Sequence, residues 1–122
     1  MPKETKLVGR DHTFIDLLIK AGLPKNVSKT LVCLTKKTET TSVEIEKATG
    51  LRQPEVSIAM QDLRNRNWVE KRDIKKEGKG RPVHAYKLSL SLDDIVDALE
   101  KDAKAKIAEI ERMIRDIRRH PK

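Results

Sequence analysis

Apolar positions recur with a helical period through the first half of the chain. Phe14, Leu17, Leu18 and Ala21 stand three and four apart, which predicts a helix from about Asp11 to Ala21 with these four on its buried side. Asp11 occupies the place of an N-cap, and Gly22 followed by Pro24 ends the run. A second helix is predicted from about Lys25 to Lys36, with Val27, Leu31, Cys33 and Leu34 inward. The stretch Lys37-Thr38-Glu39-Thr40 is polar throughout and reads as a loop. Thr41-Ser42-Val43-Glu44 then has the capping-box pattern, a Thr at the cap and a Glu three residues on. Ile45 and Ala48 are the inward positions of the short third helix that follows. Gly50 closes it in a left-handed conformation, and Leu51 is a buried contact in the turn. Gln53-Pro54 opens a fourth helix, where proline forfeits no hydrogen bond because a first-turn N–H has no intrahelical partner. Val56, Ala59, Met60 and Leu63 mark its inner face, and Asn67, which tolerates positive φ, ends it.

Beyond Asn67 the pattern changes to strands. Val69 to about Lys75 and Val83 to Leu88 are two short runs joined by a glycine-rich basic turn over 76–82, a β-hairpin with a long tip. Pro82 limits pairing near that tip. A last helix is predicted from about Leu92 to Arg119, capped by Ser91, with Asp93, Asp94 and Asp97 early and Arg115, Arg118 and Arg119 late, as the helix dipole favours. Leu92, Ile95, Val96, Leu99, Ala103, Ile107, Ile110, Ile114 and Ile117 form one stripe along it. At 1.5 Å per residue the helix is ~42 Å long, more than a domain of this size needs to cover its core. Leu92, Val96, Leu99, Ala103, Ile107, Ile110, Ile114 and Ile117 are therefore expected to pair with a second copy, making a homodimer. Leu7, Val8 and the first helix are candidates to extend that interface. The expected plan is a tail over 1–9, a mainly helical domain with a small hairpin over 10–90, a dimerisation helix over 91–119 and a tail over 120–122.

Composition narrows the function. The chain has 122 residues, 37% apolar, which suffices for one core, and its only aromatic residues are Phe14, Trp68 and Tyr86, so that core is aliphatic. The single cysteine, Cys33, lies in the apolar run Leu31-Val32-Cys33-Leu34 and reads as core packing. No stretch approaches the ~20 apolar residues of a spanning helix. No apolar segment follows the polar start Met1-Pro2-Lys3-Glu4-Thr5-Lys6, so no membrane and a cytoplasmic location are expected. The net charge is +8 and it is unevenly placed. Residues 64–87 hold nine Lys or Arg against three Asp or Glu, a net of +6, while 1–63 carry +2 and 88–122 carry none. A basic hairpin of this kind points to an acidic partner, nucleic acid first.

The third helix, a glycine turn and the fourth helix form a helix-turn-helix, whose second helix enters the major groove leading with its N-terminus. With the inner face committed to the core, Gln53, Ser57, Ile58, Gln61 and Arg64 remain outside, and Arg52 stands just ahead of them. Gln can read adenine through two hydrogen bonds, Ile58 can touch a thymine methyl, and Arg64 suits a phosphate. Glu55 would be repelled by phosphate. In the hairpin, Lys75, Lys76, Lys79 and Arg81 are the expected DNA contacts, Arg81 entering the minor groove.

The run 41–51, the helix end Asp62-Leu63-Arg64-Asn65-Arg66-Asn67-Trp68-Val69-Glu70-Lys71 and the tip Gly80-Arg81-Pro82 resemble the winged helix-turn-helix domain of MarR-like and TrmB-like transcription regulators, many of them archaeal. The resemblance spans about residues 12–90. It departs at Asn67-Trp68, where such families usually carry Gly-Leu. It implies a winged helix-turn-helix fold with double-stranded DNA as the partner, and pairing of two copies makes an inverted-repeat operator the expected target. The sugar-binding domain that TrmB-like proteins often add has no room here.

Catalytic patterns are lacking. His12, His84 and His120 are scattered without Cys or carboxylate partners at ligand spacing, and Gly78 and Gly80 do not open a helix. A non-enzymatic chain without metal or cofactor is expected. Two alternatives to a sequence-specific regulator stay open: a winged-helix protein- or RNA-interaction module of transcription machinery, and a weakly specific, chromatin-like DNA-binding protein.

Overall fold

The structure is a computed structural model that describes residues 7–74 and 83–120. It divides into two compact units between Ser91 and Leu92. Among the described residues the first unit contains α1 (Gly9–Lys20), α2 (Lys25–Leu34), β1 (Thr40–Thr41), α3 (Ser42–Thr49), α4 (Gln53–Asn65), β2 (Val69–Ile74) and β3 (Val83–Leu88). The second is one helix, α5 (Leu92–Arg119).

α2 is the axis of the first unit. Val27, Ser28 and every residue from Thr30 to Leu34 are buried, so it is enclosed on nearly all sides. The sequence reading turned only four of these residues inward. Periodicity underestimates burial when a helix is packed by neighbours around its circumference, and α1, α3, α4 and β3 all pack on α2. Its two buried hydroxyls fold back on its own turn and the one before: Ser28 Oγ donates to Pro24 O at 2.9 Å and Thr30 Oγ1 to Asn26 O at 2.8 Å. Cys33 is fully buried, and burial pushes its thiol up to about 11, so it is a small apolar filler with almost no thiolate at neutral pH.

α1 departs from expectation in two respects. It starts at Gly9, inside the expected tail, and Asp11 is not its N-cap. Asp11 lies in the first turn and its Oδ2 accepts the Val8 N–H at 2.8 Å, reaching back to satisfy the helix start from within. The buried side is Asp11, Ile15 and Leu18, whereas Phe14 is half-buried and Leu17 and Ala21 are exposed, Leu17 by 58%. The stripe is rotated because Asp11 also accepts from Lys36 Nζ at 2.8 Å, which turns that polar residue toward α2. At the other end Gly22, at φ +110°, reverses the chain. Its N–H bonds Ile19 O and the Leu23 N–H bonds Leu18 O, both at 3.0 Å, and Leu23 is buried.

The loop expected over 37–40 contains a strand. β1 pairs antiparallel with β3, Thr40 opposite Tyr86 and Thr41 opposite Ala85, giving a three-stranded sheet of order β1-β3-β2 in place of a bare hairpin. Two β-branched residues suffice once β3 presents an open edge. β2 and β3 pair from Val69 opposite Leu88 to Ile74 opposite Val83.

In the second unit, Ile95 is buried, Leu92, Leu99 and Ala103 are half-buried, and every residue from Lys104 to His120 is exposed. Val96, Ile107, Ile110, Ile114 and Ile117 are among the exposed apolar side chains. No described helix is long and apolar enough to cross a membrane.

Candidate nucleic-acid interface

The candidate interface is built on α3 and α4. At the start of α3, Thr41 Oγ1 accepts the Glu44 N–H at 3.2 Å and Glu44 Oε1 accepts the Thr41 N–H at 3.0 Å. Lys37 Nζ also donates to Glu44. Burial works to raise the Glu44 carboxyl, but the Lys37 and Thr41 bonds outweigh it and hold the group below its usual range. α3 ends at Gly50, φ +76°, whose N–H bonds Glu46 O at 2.9 Å. Ile45 and Leu51 are buried on either side of that turn.

α4 is aimed by its apolar face: Val56, Ala59, Met60 and Leu63 are all buried. At its start Glu55 Oε1 accepts the Arg52 N–H at 2.9 Å, and Asn26 Nδ2 donates to Glu55 Oε2 at 3.5 Å. Glu55 therefore fastens the first turn of α4 and links it to α2. At its end, Arg66 occupies the C-cap, and Asn67 takes the left-handed conformation at φ +65°. The Asn67 N–H bonds Arg64 O at 2.9 Å and the Trp68 N–H bonds Leu63 O at 3.1 Å. This is the termination that Gly22-Leu23 gives α1, with Asn for Gly and a buried Trp for Leu. The Arg66 guanidinium lies 5.2 Å above the Trp68 ring and bonds Asp62 at 2.5 Å. The departure at Asn67-Trp68 thus preserves the junction.

With α4 so anchored, Arg52, Gln53, Ser57, Ile58, Gln61 and Arg64 are all exposed, Ile58 by 72%. Gln61 Nε2 donates to Asn65 Oδ1 at 2.9 Å, which orients its amide. Gln53, Ser57, Gln61 and Arg64 border one side of a cleft of about 150 Å³. Val56 and Met60 also line it from α4, and Ser42 of α3 and Lys71, His84 and Tyr86 of the sheet complete its lining. These last four were missed in the sequence. The hairpin register is the signal that finds the three sheet residues: Lys71 lies opposite Tyr86 and Asp73 opposite His84, so Lys71, His84 and Tyr86 share one sheet face.

The basic residues divide into two groups. Arg72 grips Glu39 through two bonds of 2.6 and 3.1 Å, and that pairing holds the Glu39 carboxyl below its usual range. Lys87 lies 3.6 Å from Glu70. Arg64 and Lys71 front the cleft. Lys75, Lys76, Lys79 and Arg81 lie outside the described residues. Among the described residues no group of three or more His, Cys, Asp or Glu comes together in a way that would hold a metal ion.

A tri-helical core whose last two helices meet at a glycine turn, followed by a hairpin flanking the second of them, decides the architecture. The chain has the winged helix-turn-helix fold. The solved structures agree. TrmBL2, described as an archaeal chromatin protein with a novel mode of DNA binding, matches over 88% of this chain at 12% identity and a TM-score of 0.67. The chain spans 40% of the length of that protein. A possible transcriptional regulator from Methanosarcina mazei Go1 matches over 82% of this chain and 83% of its own, at 14% identity and a TM-score of 0.63. A mutant MarR from E. coli, complexed with operator DNA, matches over 88% of this chain and 84% of its own, at 16% identity and a TM-score of 0.52. No protein-family model matches the chain, and no curated protein matches it in sequence. The fold is therefore shared with MarR-family and TrmB-like regulators at low sequence identity, and β2 and β3 are its wing.

Proposed function

We propose that this winged helix protein binds double-stranded DNA as a homodimeric, sequence-specific transcription regulator. One observation carries the reading: the face of α4 opposite its core contacts exposes Gln53, Ser57, Ile58, Gln61 and Arg64 together, beside a wing that, with the helix end before it, holds most of the net charge. In this reading Gln53 and Gln61 contact adenine edges, and Ile58 meets a thymine methyl. Arg52, Arg64, Lys75, Lys76 and Lys79 meet phosphates, and Arg81 enters the minor groove. The apolar stripe of α5 pairs two copies. The operator complex of MarR supports the DNA assignment by likeness of fold.

The test is a titration of duplex DNA at several salt concentrations. Affinity falls with a log–log slope of roughly −0.9 per phosphate contact. Gln53→Ala and Gln61→Ala relax preference at one or two base pairs by about 1–3 kcal/mol each, while Lys76→Ala and Lys79→Ala weaken all sequences alike. Affinity that stays flat as salt rises overturns the assignment.

A second reading is favoured by the likeness to TrmBL2: tight duplex binding with little sequence preference, as a chromatin protein requires. Selection from random duplexes separates the two. Enrichment of an inverted repeat with half-site centres about one helical turn apart identifies a regulator, and strong binding without enrichment identifies a coating protein.

A further inference from the structure

The cleft between α4 and the wing contains a histidine arrangement that groove reading does not need. His84 Nδ1 lies 2.7 Å from Asp73 Oδ1 across the β2–β3 pair. The His84 bond holds the Asp73 carboxyl below its usual range, with Lys71 4.0 Å away in support, so Asp73 stays ionised and can only accept. His84 Nδ1 must then be the donor. His84 lines the cleft and Asp73 does not, so the carboxylate holds the ring from outside and leaves Nε2 as the remaining nitrogen. Among the described residues, the other charged or titratable groups around it are Lys71 on β2, Arg64 on α4 and Tyr86 on its own strand, and α3 contributes only Ser42. The lining thus brings two permanent cations and one imidazole to a concavity facing solvent.

We propose that Arg64, Lys71 and His84 form a seat for one DNA backbone phosphate, and that a proton on His84 completes it. This rests on the DNA-binding reading above and adds a linkage to pH. In the neutral ring, Nδ1 carries the only proton and Nε2 presents a lone pair, which repels a phosphate oxygen. In the protonated ring Nε2 becomes a donor, and the added charge cancels that of Asp73. Protonating the ring therefore strengthens the seat, so DNA affinity rises as pH falls. Asp73 is a positioning residue: it fixes which nitrogen faces the phosphate without touching it.

The experiment uses the full chain and a random-sequence duplex of about 30 base pairs, titrated at about pH 6 and pH 8 at one ionic strength, with the salt slope taken at each pH. Wild type binds roughly tenfold tighter at the lower pH, the size of one charge-assisted hydrogen bond. His84→Gln loses this response and binds at both pH values like wild type at pH 8. His84→Lys, permanently charged, keeps the tighter binding at both. The double variant His12→Gln/His120→Gln, which removes the two other imidazoles, responds as wild type does. His84 is 40% exposed in its side chain, and thermal melts of both His84 variants at each pH confirm that the fold is intact. A wild type indifferent to pH, or a His84→Gln protein that keeps the response, overturns the seat while leaving DNA binding intact. No duplex binding at either pH overturns both.

Discussion

The most informative single residue is Asp11, because one carboxylate serves two elements. It accepts from the Val8 N–H at the start of α1 and from Lys36, two residues beyond the end of α2. The Lys36 bond first, and the Val8 bond after it, hold its carboxyl below the usual range against a smaller opposing effect of burial. A depressed carboxylate contributes stability that is present above its unfolded pKa, near 3.9, and is lost as pH falls through the folded value. Asp11→Asn keeps an oxygen for the Val8 N–H but drops the charge. It should cost about 1 kcal/mol at neutral pH, and the difference from wild type should shrink below about pH 4. Paired urea melts at pH 7 and pH 3 check this; a penalty equal at both would show that the charge contributes nothing. Thr40 is a counterexample to tidy satisfaction: it is fully buried, and its hydroxyl has no hydrogen-bond partner among the described residues.

Among the elements, the helix ends decide where α4 points. Gly50 sits at φ +76°, and a Cβ built there would meet nothing within 4 Å. Gly50→Ala is therefore not a clash but a pure backbone cost of about 1–2 kcal/mol, read as a lowered melting temperature. Asn67 sits in the same left-handed region at φ +65°, so Asn67→Gly relieves strain there and should leave stability unchanged or raise it by a few tenths of a kcal/mol. Thermal denaturation of the two variants side by side tests the pair. A stabilised Gly50→Ala would contradict the geometry. The wing shows the same economy, since register alone places Lys71 and His84 on the face that borders the cleft.

At the scale of the whole molecule, the two units differ in what they bury. The first has its own core, with Leu31, Leu34, Ile45 and Leu63 all buried. The second is a 28-residue helix that exposes Ile107, Ile110, Met113, Ile114 and Ile117. Burying such side chains against a second copy contributes on the order of 1.5–3 kcal/mol each before the entropy of association is subtracted. Ile110→Glu combined with Ile114→Glu should therefore turn a dimer into monomers while the circular dichroism of the winged unit is retained. Operator affinity should fall much further than affinity for random duplex, because two half-sites are no longer engaged together. Sedimentation equilibrium with a parallel DNA titration measures both. A wild type that is monomeric at micromolar concentration, or a double variant that stays dimeric, would refute pairing through α5.

What the chain declares by itself is whatever depends on near neighbours. Capping by Thr41 and Glu44, the turn at Gly50, the proline that opens α4 and the positive φ of Asn67 are local chemistry, legible three or four residues at a time. The buried face of α4 is equally legible, because an amphipathic helix with one packed side shows its period. Where burial comes from several sides, as around α2, the period blurs and Ser28, Thr30 and Val32 go unseen. Where a polar residue is turned inward by a distant partner, as Asp11 is by Lys36 across 25 positions, the stripe itself is misplaced. β1 exists only because β3, more than 40 residues later, offers it an edge. The cleft that joins Gln61 and Arg64 to Lys71 and His84 belongs to the same class. Such pairings depend on which surfaces meet after collapse, and no window along the chain contains both partners.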